Sequence, residues 1–161
     1  MSENDPYWKL KPSPLTPADE ICYCEEAYPI ILCYAISENP IRCAICNQEV
    51  QPERLQLTPS VVDEIASWRQ FYSCFYNLWL DSGEFEDWAR SQLSDPHSPV
   101  NERGYKLCEK LQSIRHCYYW WFQDTGEEKF EALSNCPRCN RRLVEEVNRS
   151  VCDQCRIIVA N

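Results

Sequence analysis

The chain has 161 residues, 44% of them hydrophobic and 12% aromatic, with a formal net charge of −9. That length fits one domain with at most a small appended module, and that apolar content rules out wholesale disorder. No apolar run is long enough to span a bilayer, and the Met-Ser-Glu-Asn-Asp start lacks the basic and then apolar stretches of a secretory signal. A cytoplasmic chain without membrane partners, its thiols kept reduced, is therefore expected.

Residues 1–20 form a proline-rich segment, predicted to lie extended over the surface with Tyr7, Trp8 and Leu10 as anchors. Residues 21–57 are predicted to be β-rich: YPIILCYAI has strand character and lies between a C-x-C pair, Cys22 and Cys24, and a C-x-x-C pair, Cys43 and Cys46. Residues 58–125 read as a helical body. Thr58-Pro59-Ser60 offers a capping hydroxyl and an early proline. From there Val61, Ile65, Trp68, Phe71 or Tyr72, Phe75, and Leu78 or Trp79 recur at helical spacing. A second helix is predicted from Glu84 to Leu93, then a loop over 95–99. A third is capped by Asn101 and turns Tyr105, Leu107, Cys108, Leu111 and Ile114 inward. HCYYWWFQD, 116–124, reads as a buried strand, its aromatics as core in preference to a platform for bases or peptides.

Residues 126–161 read as a zinc ribbon. Cys136 and Cys139 form one C-x-x-C pair, Cys152 and Cys155 another, with NRRLVEEVNRSV between them as a hairpin and RIIV as a closing strand. Zinc takes a tetrahedral set of thiolates, and two residues between cysteines let one turn present both sulfurs to one ion. Such turns bend through a left-handed residue after the second cysteine. Asn47 and Asn140 stand there, and asparagine tolerates that conformation. Arg156 breaks the pattern and predicts a differently shaped third knuckle.

Local pairing gathers Cys22, Cys24, Cys43 and Cys46 into a second site. Cys33 is an alternative ligand for either member of the C-x-C pair, and pairing of Cys43 and Cys46 with a C-terminal knuckle is a long-range alternative. One zinc is expected, and two if the N-terminal site forms.

Catalysis is not expected. His97 and His116 are the only histidines, no H-x-E precedes Cys136 as in zinc deaminases, and Cys136-Pro137-Arg138-Cys139 lacks the strand-then-helix setting of a thiol oxidoreductase. No P-loop, dinucleotide fingerprint or nucleophile elbow appears. Charge argues against nucleic acid: 16 basic residues face 25 acidic ones, and each tetrathiolate zinc adds about −2. What could serve such a role is Arg138, Arg141, Arg142, Arg149 and Arg156, provided they share one exposed face.

NPIRCAICNQEVQPERL (39–55), LWLDSGEFEDWA (78–89), CYYWWFQD (117–124) and the final CPRC and CDQC resemble a family of small bacterial zinc-ribbon proteins of unknown function, some of them labelled nucleic-acid-binding. The resemblance implies zinc at Cys43, Cys46 and the C-terminal quartet, and says little about activity.

The fold class expected is α+β: a central three-helix body, a C-terminal four-cysteine ribbon and an N-terminal zinc-knuckle site. The function expected is a non-catalytic interaction or regulatory module that meets a basic protein, as immunity proteins do, because opposite charge speeds encounter. The alternative is a nucleic-acid-associated ribbon using the C-terminal arginines.

Overall fold

The computed structural model describes residues 5–25, 28–124, 131–146 and 149–160. Six short strands share one sheet among these residues: β1 (Ile30–Leu32), β2 (Ile41–Cys43), β3 (Cys117–Trp120), β4 (Val144–Glu146), β5 (Arg149–Cys152) and β6 (Ile157–Val159). Their order is β2-β1-β3-β6-β5-β4. β1 pairs antiparallel with β2, and β5 antiparallel with β4 and β6, whereas β3 pairs parallel with β1 and with β6. An N-terminal hairpin and a C-terminal meander thus meet on one central strand. The fold is α+β, as expected.

Alternation of side chains assigns the two faces. Ile30, Leu32, Cys117, Tyr119, Ile157 and Val159 point into the main core, while Ile31, Tyr118, Val151 and Ile158 form a smaller cluster on the other face. Cys117, Tyr118 and Tyr119 are all buried, as a parallel-paired central strand requires.

Helices α1 (Pro59–Asp81), α2 (Glu86–Ser94) and α3 (Pro99–Leu111) follow one another between β2 and β3. The expected three-helix body is corrected: the centre is the sheet, α1 and α3 are the two helices packed together over its main face, and short α2 rides on α1. Gly104 of α3 marks the closest approach. A Cβ there would lie 2.3 Å from the Tyr119 ring, so only glycine lets helix and strand meet.

Several boundaries differ from the sequence reading. The Thr58 side chain makes no capping bond; proline at the first position and the bond from Val62 N–H to Thr58 O start α1 instead. Its buried stripe runs through Val62, Ile65, Trp68 and Tyr72. A turn through Gly83, φ 62°, delays α2 to Glu86. Ser98 caps α3, accepting from Asn101 N–H at 3.4 Å, so Pro99 opens the helix and is not loop. Asn101 is buried and links three elements. Its amide donates to Leu93 O and Asp95 O, and its Oδ1 accepts from Tyr119 at 2.8 Å. Ile114 lies beyond the helix and is exposed, and the aromatic strand is four residues long, not nine. The proline-rich segment turns through 3₁₀ helices at Trp8–Leu10 and Ala18–Glu20, burying Leu10 while Trp8 stays 45% exposed. No helix among the described residues is long and apolar enough to cross a membrane.

Candidate metal centres

Two groups of four cysteines lie toward opposite edges of the sheet, one at β2 and the other at β5. Cys22, Cys24, Cys43 and Cys46 form one, and Cys136, Cys139, Cys152 and Cys155 the other; in each, the sulfurs all lie within 4.8 Å of one another. These are the two sets the spacing picks out. Cys43 and Cys46 meet the C-x-C pair and not a C-terminal knuckle, and Cys33 is outside both groups, its Sγ donating to Tyr34 O. All eight are free thiols, with Cys139 Sγ and Cys152 Sγ 3.6 Å apart. A Zn–S length of about 2.3 Å places tetrahedral sulfurs about 3.8 Å apart, so the donor set has the size and softness of a zinc site.

Both sites are built from the same local turn. Cys43 N–H donates to Gln48 O at 2.9 Å and Asn47 N–H to Cys43 O at 2.9 Å; Cys136 N–H donates to Arg141 O at 2.7 Å and Asn140 N–H to Cys136 O at 2.9 Å. Asn47 and Asn140 have φ of 62° and 59°, the left-handed conformation that lets the chain reverse under the sulfurs. Arg156 also turns left-handed, φ 53°, against expectation. Pairing of β5 with β6 through Cys152 and Ile157 demands the reversal there, whatever the residue's own preference.

The turns aim amide N–H groups at sulfur. Burial pushes the Cys43 thiol up to about 12 and Cys136 up to about 11, although two N–H groups of its own knuckle oppose this in each case. Burial likewise raises Cys24 and Cys155. Arg141 N–H holds Cys139 down to about 7; against opposing burial, Gln48 N–H and the neighbouring thiols hold Cys46 below its ordinary value. Each group therefore contains one thiol held below its ordinary value, Cys46 or Cys139, beside two that burial pushes above it.

The surroundings of the two groups were not legible in the sequence. The Arg54 guanidinium donates to Cys22 O and to Cys24 O, both at 2.5 Å, clamping the C-x-C segment from the 3₁₀ turn Pro52–Leu55. Beside each group stands a buried tyrosine whose hydroxyl has no hydrogen-bond partner among the described residues: Tyr28 near Cys22 and Cys43, and Tyr105 near Cys136 and Cys155. Arginine covers each ring, Arg54 and Arg115 on Tyr28 at 5.1 and 4.8 Å, Arg138 on Tyr105 at 4.2 Å. Buried hydroxyl donors and cations beside both groups fit a centre that carries negative charge when filled.

Of the C-terminal arginines, Arg138 and Arg156 line one cleft together with Glu109. Arg138 stacks on Tyr105 and lies 3.5 Å from Glu102, whereas Arg149 covers Trp120 at 4.8 Å. Trp120 is half-buried, and Tyr118, Tyr119 and Trp121 are core.

In comparisons with known proteins, no family model, no curated protein and no solved structure matches the chain.

Proposed function

We propose that the chain is a non-catalytic protein-interaction module, stapled by two structural zinc ions and docking a basic partner at the corner between α1 and α2. Cys22, Cys24, Cys43 and Cys46 would hold one ion, and Cys136, Cys139, Cys152 and Cys155 the other. A structural zinc bound by four thiolates supplies folding free energy and leaves no open position for chemistry.

The observation that carries the docking reading is the character of that corner. Leu80, Phe85 and Trp88 are 57%, 51% and 50% exposed, and Trp88 stacks on Phe75 at 5.7 Å. Asp81, Glu84, Glu86 and Asp87 are interleaved with them, and no lysine or arginine occurs between Arg69 and Arg90. Large exposed aromatics in an acidic setting favour a partner that is apolar at its centre and basic at its rim. The nucleic-acid alternative draws no support from Arg138 and Arg149, which stack on separate rings.

The test is affinity capture from the host organism with wild-type and Trp88→Ser baits side by side. A single basic protein retained by the first and lost with the second is expected. Recovery of nucleic acid alone, or a partner indifferent to Trp88, would overturn the reading.

A further inference from the structure

The aromatics that look like a ligand platform in the sequence are mostly core, but a different aromatic site takes their place. Tyr34, Tyr76, Trp79, Trp120 and Phe122 line a cleft of about 280 Å³ between α1 and the end of β3, with Gln123 at its wall. The rings support one another. Tyr34 stands 4.6 Å from Tyr76, Tyr76 5.1 Å from Trp79, and Trp79 5.0 Å from Phe122, the last two pairs edge to face.

Gln123 gives the cleft a direction. Its Oε1 accepts from Ala160 N–H at 2.7 Å, which settles which end of the amide is oxygen. Its Nε2 is buried and donates to no acceptor among the described residues. An orphaned buried donor is costly, so its retention beside an aromatic wall points to a ligand that brings an acceptor. The indole N–H of Trp79 is already used, donating to Asp124 at 2.5 Å, so it is not among the donors a guest would meet.

We infer that this cleft binds an extended, proline-containing segment of the partner, the proline ring lying on the aromatic wall and a backbone carbonyl accepting from Gln123 Nε2. The inference rests on the interaction reading above and names the partner's chemistry. A proline segment suits the site on three counts. It presents carbonyls without competing N–H groups, its ring is apolar and rigid, and its polyproline conformation is formed before binding. The net charge of −9 favours lysine or arginine beside those prolines and opposes a polyphosphate chain reaching the same rings.

Fluorescence anisotropy with the zinc-loaded full chain tests it, using a short labelled lysine–proline peptide, the matched lysine–alanine peptide and an oligouridylate as probes. Expected is saturable binding of the lysine–proline peptide, with affinity about tenfold weaker for the lysine–alanine peptide and about tenfold weaker again in Gln123→Met. Half-buried Trp120→Leu, outside the main core but packed on the smaller cluster of the other face, gives a second variant and should also lose at least about tenfold. Zinc content and melting temperature of both variants check that the fold is intact. Binding of both peptides that depends on Trp88 but not on Gln123 or Trp120 would overturn the cleft and leave the docking reading standing. Oligouridylate binding lost in Gln123→Met would overturn the proline assignment in favour of a base, and no binding of any probe would overturn the inference outright.

Discussion

Asn47 and Asn140 occupy the same place in two turns toward opposite edges of the sheet, each in the left-handed conformation with its N–H bound to the carbonyl of the first cysteine of its pair at 2.9 Å. A residue with a Cβ is strained there by about 1–2 kcal/mol, asparagine less than most, glycine not at all. Asn47→Ala should therefore lower the stability of the zinc-loaded protein by about 1 kcal/mol, a few degrees in melting temperature, and Asn47→Gly should not. Equal losses in the two would contradict a conformational role.

The ligand assignment predicts two zincs per chain by elemental mass spectrometry on protein purified without a metal-affinity tag. Cys136→Ser should remove one of them and melt the C-terminal meander. Cys74 is exposed on α1, bonded only to its own helix at Gln70 O, and Cys74→Ser should change neither zinc content nor melting temperature.

Arg54 ties two carbonyls of the C-x-C segment that no other described side chain reaches. Arg54→Met should weaken zinc at the N-terminal site by about tenfold, the usual effect of losing an outer-shell support, and leave the C-terminal site alone. Competition with a chromophoric chelator resolves the two sites. A uniform loss at both would mean a global effect.

The contact between α3 and β3 leaves no slack. Gly104→Ala forces its new methyl against the Tyr119 ring and should destabilise by about 1–3 kcal/mol. Tyr119→Phe keeps the ring but strands the buried Asn101 Oδ1, at a cost of about 1–3 kcal/mol. Urea titrations of both variants check these values.

Burial pushes the Cys33 thiol up to about 11, above the ordinary value near 9. A raised thiol stabilises the fold below the unfolded value, and that stabilisation is lost as pH climbs from about 9 through 11. The urea midpoint of wild type relative to Cys33→Ala should therefore fall across that window and stay flat between pH 6 and 8. A difference independent of pH throughout would refute it.

What the sequence made legible was local. Cysteine spacing identifies both quartets because two knuckle residues are all the geometry needs, and helical periodicity finds α1 because packing repeats every turn. The hairpin over β4 and β5 is equally readable from its flanking valines. Long-range features were not readable. Nothing near Cys117–Trp120 announces that its partners are Ile30–Leu32 and Ile157–Ile158, since a parallel pairing leaves no turn signal. Asn101 looks like a cap because its neighbours hide that Tyr119 will sit opposite. Arg156 looks unsuited to a left-handed turn because strand pairing, and not its own propensity, puts it there. Arg54 resembles any surface arginine until the C-x-C segment folds onto it.

The parallel pairing of β3 with both β1 and β6 also sets an order of events during synthesis. As the chain leaves the ribosome, β1, β2, the helices and β3 emerge well before β6, so for that interval the hydrophobic run Cys117–Trp120 presents one open hydrogen-bonding edge. Only β6, which follows Cys152 and Cys155, closes it. Metal availability while that edge is open would then govern how long it is shown to other nascent chains, so zinc-starved cells should accumulate this protein in inclusion bodies rather than as a soluble apo form.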